Sequence, residues 1–247
     1  MRFLGHSTVR MEVAGHVVLT DPVLTPRVGP LHRVVAPLTP DAWAGVDLVL
    51  ISHLHGDHLH LPSLRLLPRD VRVVVPRGAG TWLRHKGIGN VDELAVGERV
   101  TYGDLTVTAT TARHSGHRWG PRLTYGPHAP AVGHLLETSG VRIYVAGDTD
   151  LFDGMTDLAP VDVALLPVWG WGPTLGPGHL DPARAAEAVR RIRPRVAVPV
   201  HWGTLALPGV ARSRRMRRLL VDPPHEFARA VGAMSDVIIA SPGTEVG

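Results

Sequence analysis

His53-Leu54-His55-Gly56-Asp57-His58 sets four metal-ligand side chains in six positions, directly after the run Val46-Asp47-Leu48-Val49-Leu50-Ile51-Ser52. The apolar run has strand length and reads as a strand buried on both faces. Neutral imidazoles and carboxylates suit borderline-soft divalent metals such as zinc. In an extended segment His53 and His55 point the same way. Gly56 permits a turn that swings Asp57 and His58 toward a second metal.

One short run cannot fill two metal shells, because a catalytic zinc takes about three protein ligands plus water. Further ligands are therefore sought at other strand ends. His114 follows an apolar stretch at 105–112, Asp148 follows 141–146, and His201 follows 196–200. Carboxyl ends of strands are where α/β proteins commonly build sites. His117 competes with His114, being three residues further on.

Outward from these points the chain reads as α/β. Residues 2–20 read as a hairpin, with Val9, Met11 and Val13 alternating with Arg10, Glu12 and Ala14 before a turn at Gly15-His16. Residues 22–45 are rich in Pro and Gly and read as a long loop. Further strands are expected at 71–75, 131–138 and 163–166. Asp181 is an expected N-cap with Pro182 in the first turn, opening a helix that Pro194 stops. A last helix is expected over 225–234. With no repeat and no linker, residues 1–247 read as a single domain.

The composition bounds the function. The 247 residues are 44% hydrophobic, enough for a sizeable core. No cysteine is present, which excludes disulfides, Cys-ligated metals and a Cys nucleophile. Lys86 is the single lysine, so 25 of the 26 basic residues are arginines. The net charge of +4 is mild, and no nucleic acid is expected as partner. No stretch is long and apolar enough for a transmembrane segment, and no secretory pattern opens the chain; a cytoplasmic location is expected. The basic run at 212–218 reads as a solvated helix or loop face rather than a binding patch.

The string His-Leu-His-Gly-Asp-His resembles the H-x-H-x-D-H signature of the metallo-β-lactamase superfamily, and the later His, Asp and His fall in that superfamily's order. Leu4-Gly5-His6-Ser7-Thr8, Thr20-Asp21-Pro22, Gly147-Asp148-Thr149, His179-Leu180-Asp181-Pro182 and His201-Trp202-Gly203-Thr204 are similar to the branch containing N-acyl-phosphatidylethanolamine phospholipase D and L-ascorbate-6-phosphate lactonase. The resemblance implies a four-layer αββα sandwich with two divalent metal ions on its edge, zinc first and manganese or iron as alternatives. It implies His53, His55 and His114 on one metal, Asp57, His58 and His201 on the other, and Asp148 between them. The expected activity is hydrolysis of a small phosphodiester, lactone or ester by a hydroxide held between the metals. A nuclease of the same superfamily and a non-hydrolytic metal-binding or redox protein are the alternatives. Asp57 and His179 are the candidate catalytic residues, with His179 contacting substrate or the developing negative charge. Trp169, Trp171 and Arg118 are candidate substrate contacts. The substrate is expected to be a small molecule, anionic or lipid-like, and a homo-oligomer stays open. His6 reads as structural or as a support behind the metal ligands, and Asp21 either orients a ligand histidine or caps a turn.

Overall fold

The computed structural model describes residues 1–119 and 125–246. Two seven-stranded sheets dominate it. The first runs in the order Thr244–Glu245, Arg2–Gly5, Thr8–Val13, His16–Thr20, Leu48–Leu50, Arg72–Pro76 and Val91–Leu94. The second runs Asp236–Val237, Pro194–Val200, Val161–Pro167, Arg142–Val145, Val132–Glu137, Leu105–Thr111 and Arg99–Tyr102. Each sheet is an antiparallel meander continued by parallel strands.

Among the described residues the α-helices are α1 (Leu61–Leu64), α2 (Gly80–His85), α3 (Pro182–Ile192), α4 (Arg214–Val221) and α5 (Pro223–Val231), with short 3-10 turns besides. The strand Leu48–Leu50 explains the layering. Its alternating side chains bury in two different cores. Leu48 and Leu50 join Phe3, Met11, Val107, Leu136 and Ile143 between the sheets. Val49 packs outward with Leu19, Val73, Leu64 of α1 and Leu83 of α2. On the far side Ala185, Val189 and Ile192 of α3 and Phe227 of α5 cover the second sheet. The result is the αββα sandwich.

The expected strands are present with shifted ends: the first apolar run pairs over Leu48–Leu50 alone, and the run at 131–138 over Val132–Glu137. Asp181 caps α3 through Oδ1, which accepts from the Arg184 N–H at 2.8 Å. Arg193 ends that helix in the left-handed conformation (φ 51°), one residue before Pro194, which opens a strand instead of merely stopping the helix. The last helix begins earlier than expected, at Pro223. The loop 22–45 carries structure: Arg27–Val28 and Leu31–Arg33 pair in a small sheet with Leu205–Ala206. Strands this short leave no periodicity to read. The basic run at 212–218 spans most of α4.

Candidate metal centre

Ser52 ends the strand segment where the two sheets touch, its carbonyl accepting from the Val132 N–H at 2.9 Å. The six-residue motif then coils into a helical turn, with the N–H groups of His58 and Leu59 both reaching the His55 carbonyl. Asp148 arrives from the second sheet beside it. Gly147 (φ 61°) makes this approach feasible, since a Cβ there would stand 2.4 Å from Cβ of Ser52. His201 arrives from the end of Pro194–Val200 and His114 from just beyond Leu105–Thr111.

Three residues of the site hold positive φ without being glycine: His6 at 55°, Asp21 at 34° and His201 at 62°. Such conformations cost ~1–3 kcal/mol each and cluster where function demands them.

The hydrogen bonds orient the imidazoles. Asp21 is buried; its Oδ1 accepts from the Ser52 N–H (2.7 Å) and its Oδ2 from Ser52 Oγ (2.6 Å) and His58 Nδ1 (2.8 Å). Ser52 Oγ, having given its proton to Asp21, accepts from His53 Nδ1 at 2.9 Å. His114 Nδ1 donates to the Gly178 carbonyl and His201 Nδ1 to the Trp169 carbonyl, both at 2.7 Å. Four rings therefore spend Nδ1 outward and turn Nε2 inward.

Inside, nitrogen faces nitrogen. His53 Nε2 lies 3.0 Å from His55 Nδ1, which lies 3.1 Å from His114 Nε2. His58 Nε2 lies 3.1 Å from His201 Nε2. Asp148 is buried beside them, with Oδ2 at 3.4 Å from His58 Nε2 and from His179 Nε2, and 3.9 Å from His114 Nε2; Oδ1 is 3.3 Å from His201 Nε2. That Oδ1 accepts no hydrogen bond among the described residues.

This donor set fits divalent cations. Ligand nitrogens at about 2.0–2.1 Å around a tetrahedral zinc stand about 3.3 Å apart, close to the spacings seen here. The donor atoms fall into groups each closer together than 4.8 Å: His53, His55 and His114; His6, Asp57, His58 and His201; and Asp148 with His53 and His58, or with His114 and His179.

Charge follows burial and neighbours. Burial pushes His201 down to about 3 and His55 down to about 4, and lowers His53 well below and His114 below the usual histidine value. These rings are neutral and ready to ligate. His58 is the exception: burial opposes its charge, but the Asp148 and Asp21 carboxylates override that and raise its pKa well above normal. Asp148 stays ionised despite burial because His201, His58 and His179 surround it.

His6 stands against the cluster, in the supporting position that is one of its two readings from sequence. Its Nε2 lies 3.0 Å from Asp57 Oδ2, its ring centroid is 4.0 Å from that of His201, and its carbonyl accepts from the His201 N–H at 2.6 Å. This contact pulls the Asp57 pKa well below normal against the effect of burial. Its position directly after Arg2–Gly5, at a strand end like the other ligands, is the signal for that placement.

A cavity of about 440 Å³ opens over the cluster, lined by His55, Asp57, Asp148, Trp171, Leu175 and His179 among others. Two expected substrate contacts lie elsewhere. Arg118 Nη1 donates to the Leu54 and Leu59 carbonyls (both 2.8 Å) and its guanidinium covers the Trp82 ring, so it clamps the motif turn from behind. Trp169 packs against the core and lines a neighbouring cavity, while its Nε1 donates to the Gly172 carbonyl. The loop there turns Trp171 alone toward the cluster. His114 stands in the cluster, whereas the His117 ring lies 4.6 Å from that of His128.

Residues 16–202 match the β-lactamase superfamily domain. The chain is 31% identical to a metal-dependent hydrolase of Pyrococcus furiosus, covering 98% of this chain and 96% of that protein. It is 28% identical to N-acyl-phosphatidylethanolamine-hydrolyzing phospholipase D 1 of Caenorhabditis elegans, covering 82% and 63%. A metallo hydrolase from Ignicoccus hospitalis shares the fold with a TM-score of 0.72 at 24% identity, covering 98% and 94%. The chain spans 64% of the length of its mycobacterial relatives.

Proposed function

The chain belongs to the metallo-β-lactamase superfamily, and from that premise we propose that it is a metal-dependent hydrolase of a small phosphodiester, lactone or ester. One observation carries the reading: nitrogens of five histidines converge beside Asp148, whose Oδ1 has no hydrogen-bond partner among the described residues, and His55, His201 and Asp148 of this cluster line an open cavity. His53, His55 and His114 would hold one cation, Asp57, His58 and His201 a second, with Asp148 shared. Divalent ions held there would supply Lewis acidity and would lower the pKa of a bound water toward neutrality.

The remaining steps belong to the protein. Trp171 and Leu175 wall one side of the cavity and exclude water from an apolar part of the substrate. His179 is half-buried on that wall, with Nδ1 donating to the Gly176 carbonyl at 3.1 Å. Burial works against its charge, yet the Asp148 carboxylate raises its pKa. Its Nε2, 3.4 Å from Asp148 Oδ2, is the atom placed to donate to developing charge or to the leaving group. Asp57, held by His6, fixes the opposite edge. The outward Nδ1 hydrogen bonds of the cluster histidines hold the rings in place, so little reorganisation accompanies reaction.

A panel of bis(4-nitrophenyl) phosphate, a simple lactone and single-stranded RNA, assayed with protein loaded in turn with zinc, manganese and iron, tests the reading. Turnover of the diester or lactone, lost on chelation, is expected. Cleavage confined to RNA would assign a nuclease, and no turnover with a loaded site would assign a non-hydrolytic role.

A further inference from the structure

Helix α4 carries more positive charge than its surroundings balance. Arg212, Arg214, Arg215, Arg217 and Arg218 are all exposed. Among the described residues none of the five has a carboxylate partner, and the side-chain hydrogen bond they form is Arg215 Nη2 to the Pro173 carbonyl at 3.2 Å. The arginines of α3 behave differently: Arg184 pairs with Asp150, and Arg190 and Arg191 pair with Glu187. Local rules disfavour the α4 arrangement. Arg214 and Arg218 repel at i, i+4, and Arg214 and Arg215 sit in the first turn, against the helix dipole. Buried Met216 and the Ser213 cap, whose Oγ accepts from the Met216 N–H at 3.2 Å, hold the helix in place regardless. Choices that defy local preference mark functional positions.

The location supplies the function. Arg214, Arg215, Arg218 and Leu219 line a cavity of about 570 Å³ together with Trp169. Trp169 begins the same loop whose Trp171, Pro173 and Thr174 wall the cavity over the metal-ligand cluster. One loop thus separates the cluster from the arginines, and Arg215 is tied to its Pro173 carbonyl. Asp222 and Glu226 also line the arginine cavity and offset part of its charge, leaving three guanidiniums against two carboxylates. Guanidinium stays protonated at every working pH and matches the paired oxygens of a carboxylate or phosphate.

We infer that α4 is the anion-recognition element of this site, and that the substrate carries a carboxylate- or phosphate-type group drawn in and held by Arg214, Arg215 and Arg218. The inference rests on the hydrolase reading above and narrows its substrate class. Charge of this density beside a site mouth raises encounter rates by about 10–10³-fold, an effect that salt screens.

The test compares metal-loaded wild type with the triple variant Arg214→Gln, Arg215→Gln, Arg218→Gln; glutamine keeps helix propensity near that of arginine. The probes are 4-nitrophenyl butyrate, which is neutral, and mono-4-nitrophenyl glutarate, which carries a carboxylate. At low salt the variant is expected to lose about tenfold or more in kcat/KM on the glutarate ester, mainly through KM, with the butyrate ester unchanged and the gap closing in 0.5 M NaCl. Inorganic phosphate, followed by calorimetry, is expected to bind wild type more tightly than the variant. Equal losses on both esters would make α4 merely structural and overturn the inference, as would no loss on either. If wild type turns over neither ester, the diester and lactone panel above decides the hydrolase reading, and the phosphate titration still decides the role of α4: equal binding by the two proteins overturns it. Retention of single-stranded RNA by wild type, with equal phosphate binding, would assign the helix to nucleic acid and also overturn it.

Discussion

Oδ2 of Asp21 lies 2.8 Å from Nδ1 of His58, and through Ser52 Oγ the same carboxylate sets the tautomer of His53. His53 belongs to one donor group and His58 to the other, so a single buried side chain aims a ligand at each. Partners of this kind fix ring orientation and raise ligand basicity. Asp21→Asn is expected to weaken metal affinity about 10–100-fold while the protein stays folded. Competition against a chromophoric chelator measures this. Unchanged affinity would reduce Asp21 to a turn residue before Pro22.

His58 holds the cluster's proton when no metal is present, because Asp148 and Asp21 outweigh its burial. That proton must leave Nε2 for the ring to ligate. Metal titrations at pH 7 should therefore release protons, so that the heat differs between buffers of different ionisation enthalpy. Heats independent of buffer would contradict the assignment.

Acid should destabilise the metal-free protein. Burial lowers His201 to about 3, and His55 and His134 to about 4. Their unfolded value is about 6.5. The stability they contribute is present above that value and is lost as pH falls from it toward the folded values. Within this window each such group costs up to about 1.4 kcal/mol per pH unit. His58 runs the other way: its contribution is full below about 6.5 and is lost as pH rises through its raised folded value. Denaturant midpoints at pH 7.5 and pH 5 measure the balance, and a lower midpoint at pH 5 is expected. An equal or higher midpoint there would mean the buried rings are not held neutral.

His114→Ala and His117→Ala separate the two candidates for the ligand after Leu105–Thr111. The first should lose about one metal per chain, since it removes one of about three protein ligands. The second should keep both, its ring lying against His128. The reverse pattern would move the ligand to His117.

The motif His53 to His58 and the strand-end positions of His114, Asp148 and His201 were legible because each is local: an apolar run, then ligand-type residues. The αββα architecture came from the resemblance that those residues carry. What stayed hidden depends on the whole fold. Asp21 was legible as a partner for a ligand histidine but not which one, and the left-handed backbone of His6 and Asp21 is something that nothing in a non-glycine sequence announces. Arg118 became a clamp because its guanidinium found the carbonyls of Leu54 and Leu59, some sixty residues back. Helices α1 and α2 have no side-chain N-caps and are four and six residues long, too short for a period to show.

The central claim is that Asp148 joins two cation sites built from seven side chains. Elemental analysis of the metal-to-protein ratio, after expression in metal-replete medium, tests it most directly. A ratio of about two divalent ions per chain is expected, falling in a folded Asp148→Ala variant. A ratio near zero in the wild-type protein, or one undiminished by Asp148→Ala, would contradict it.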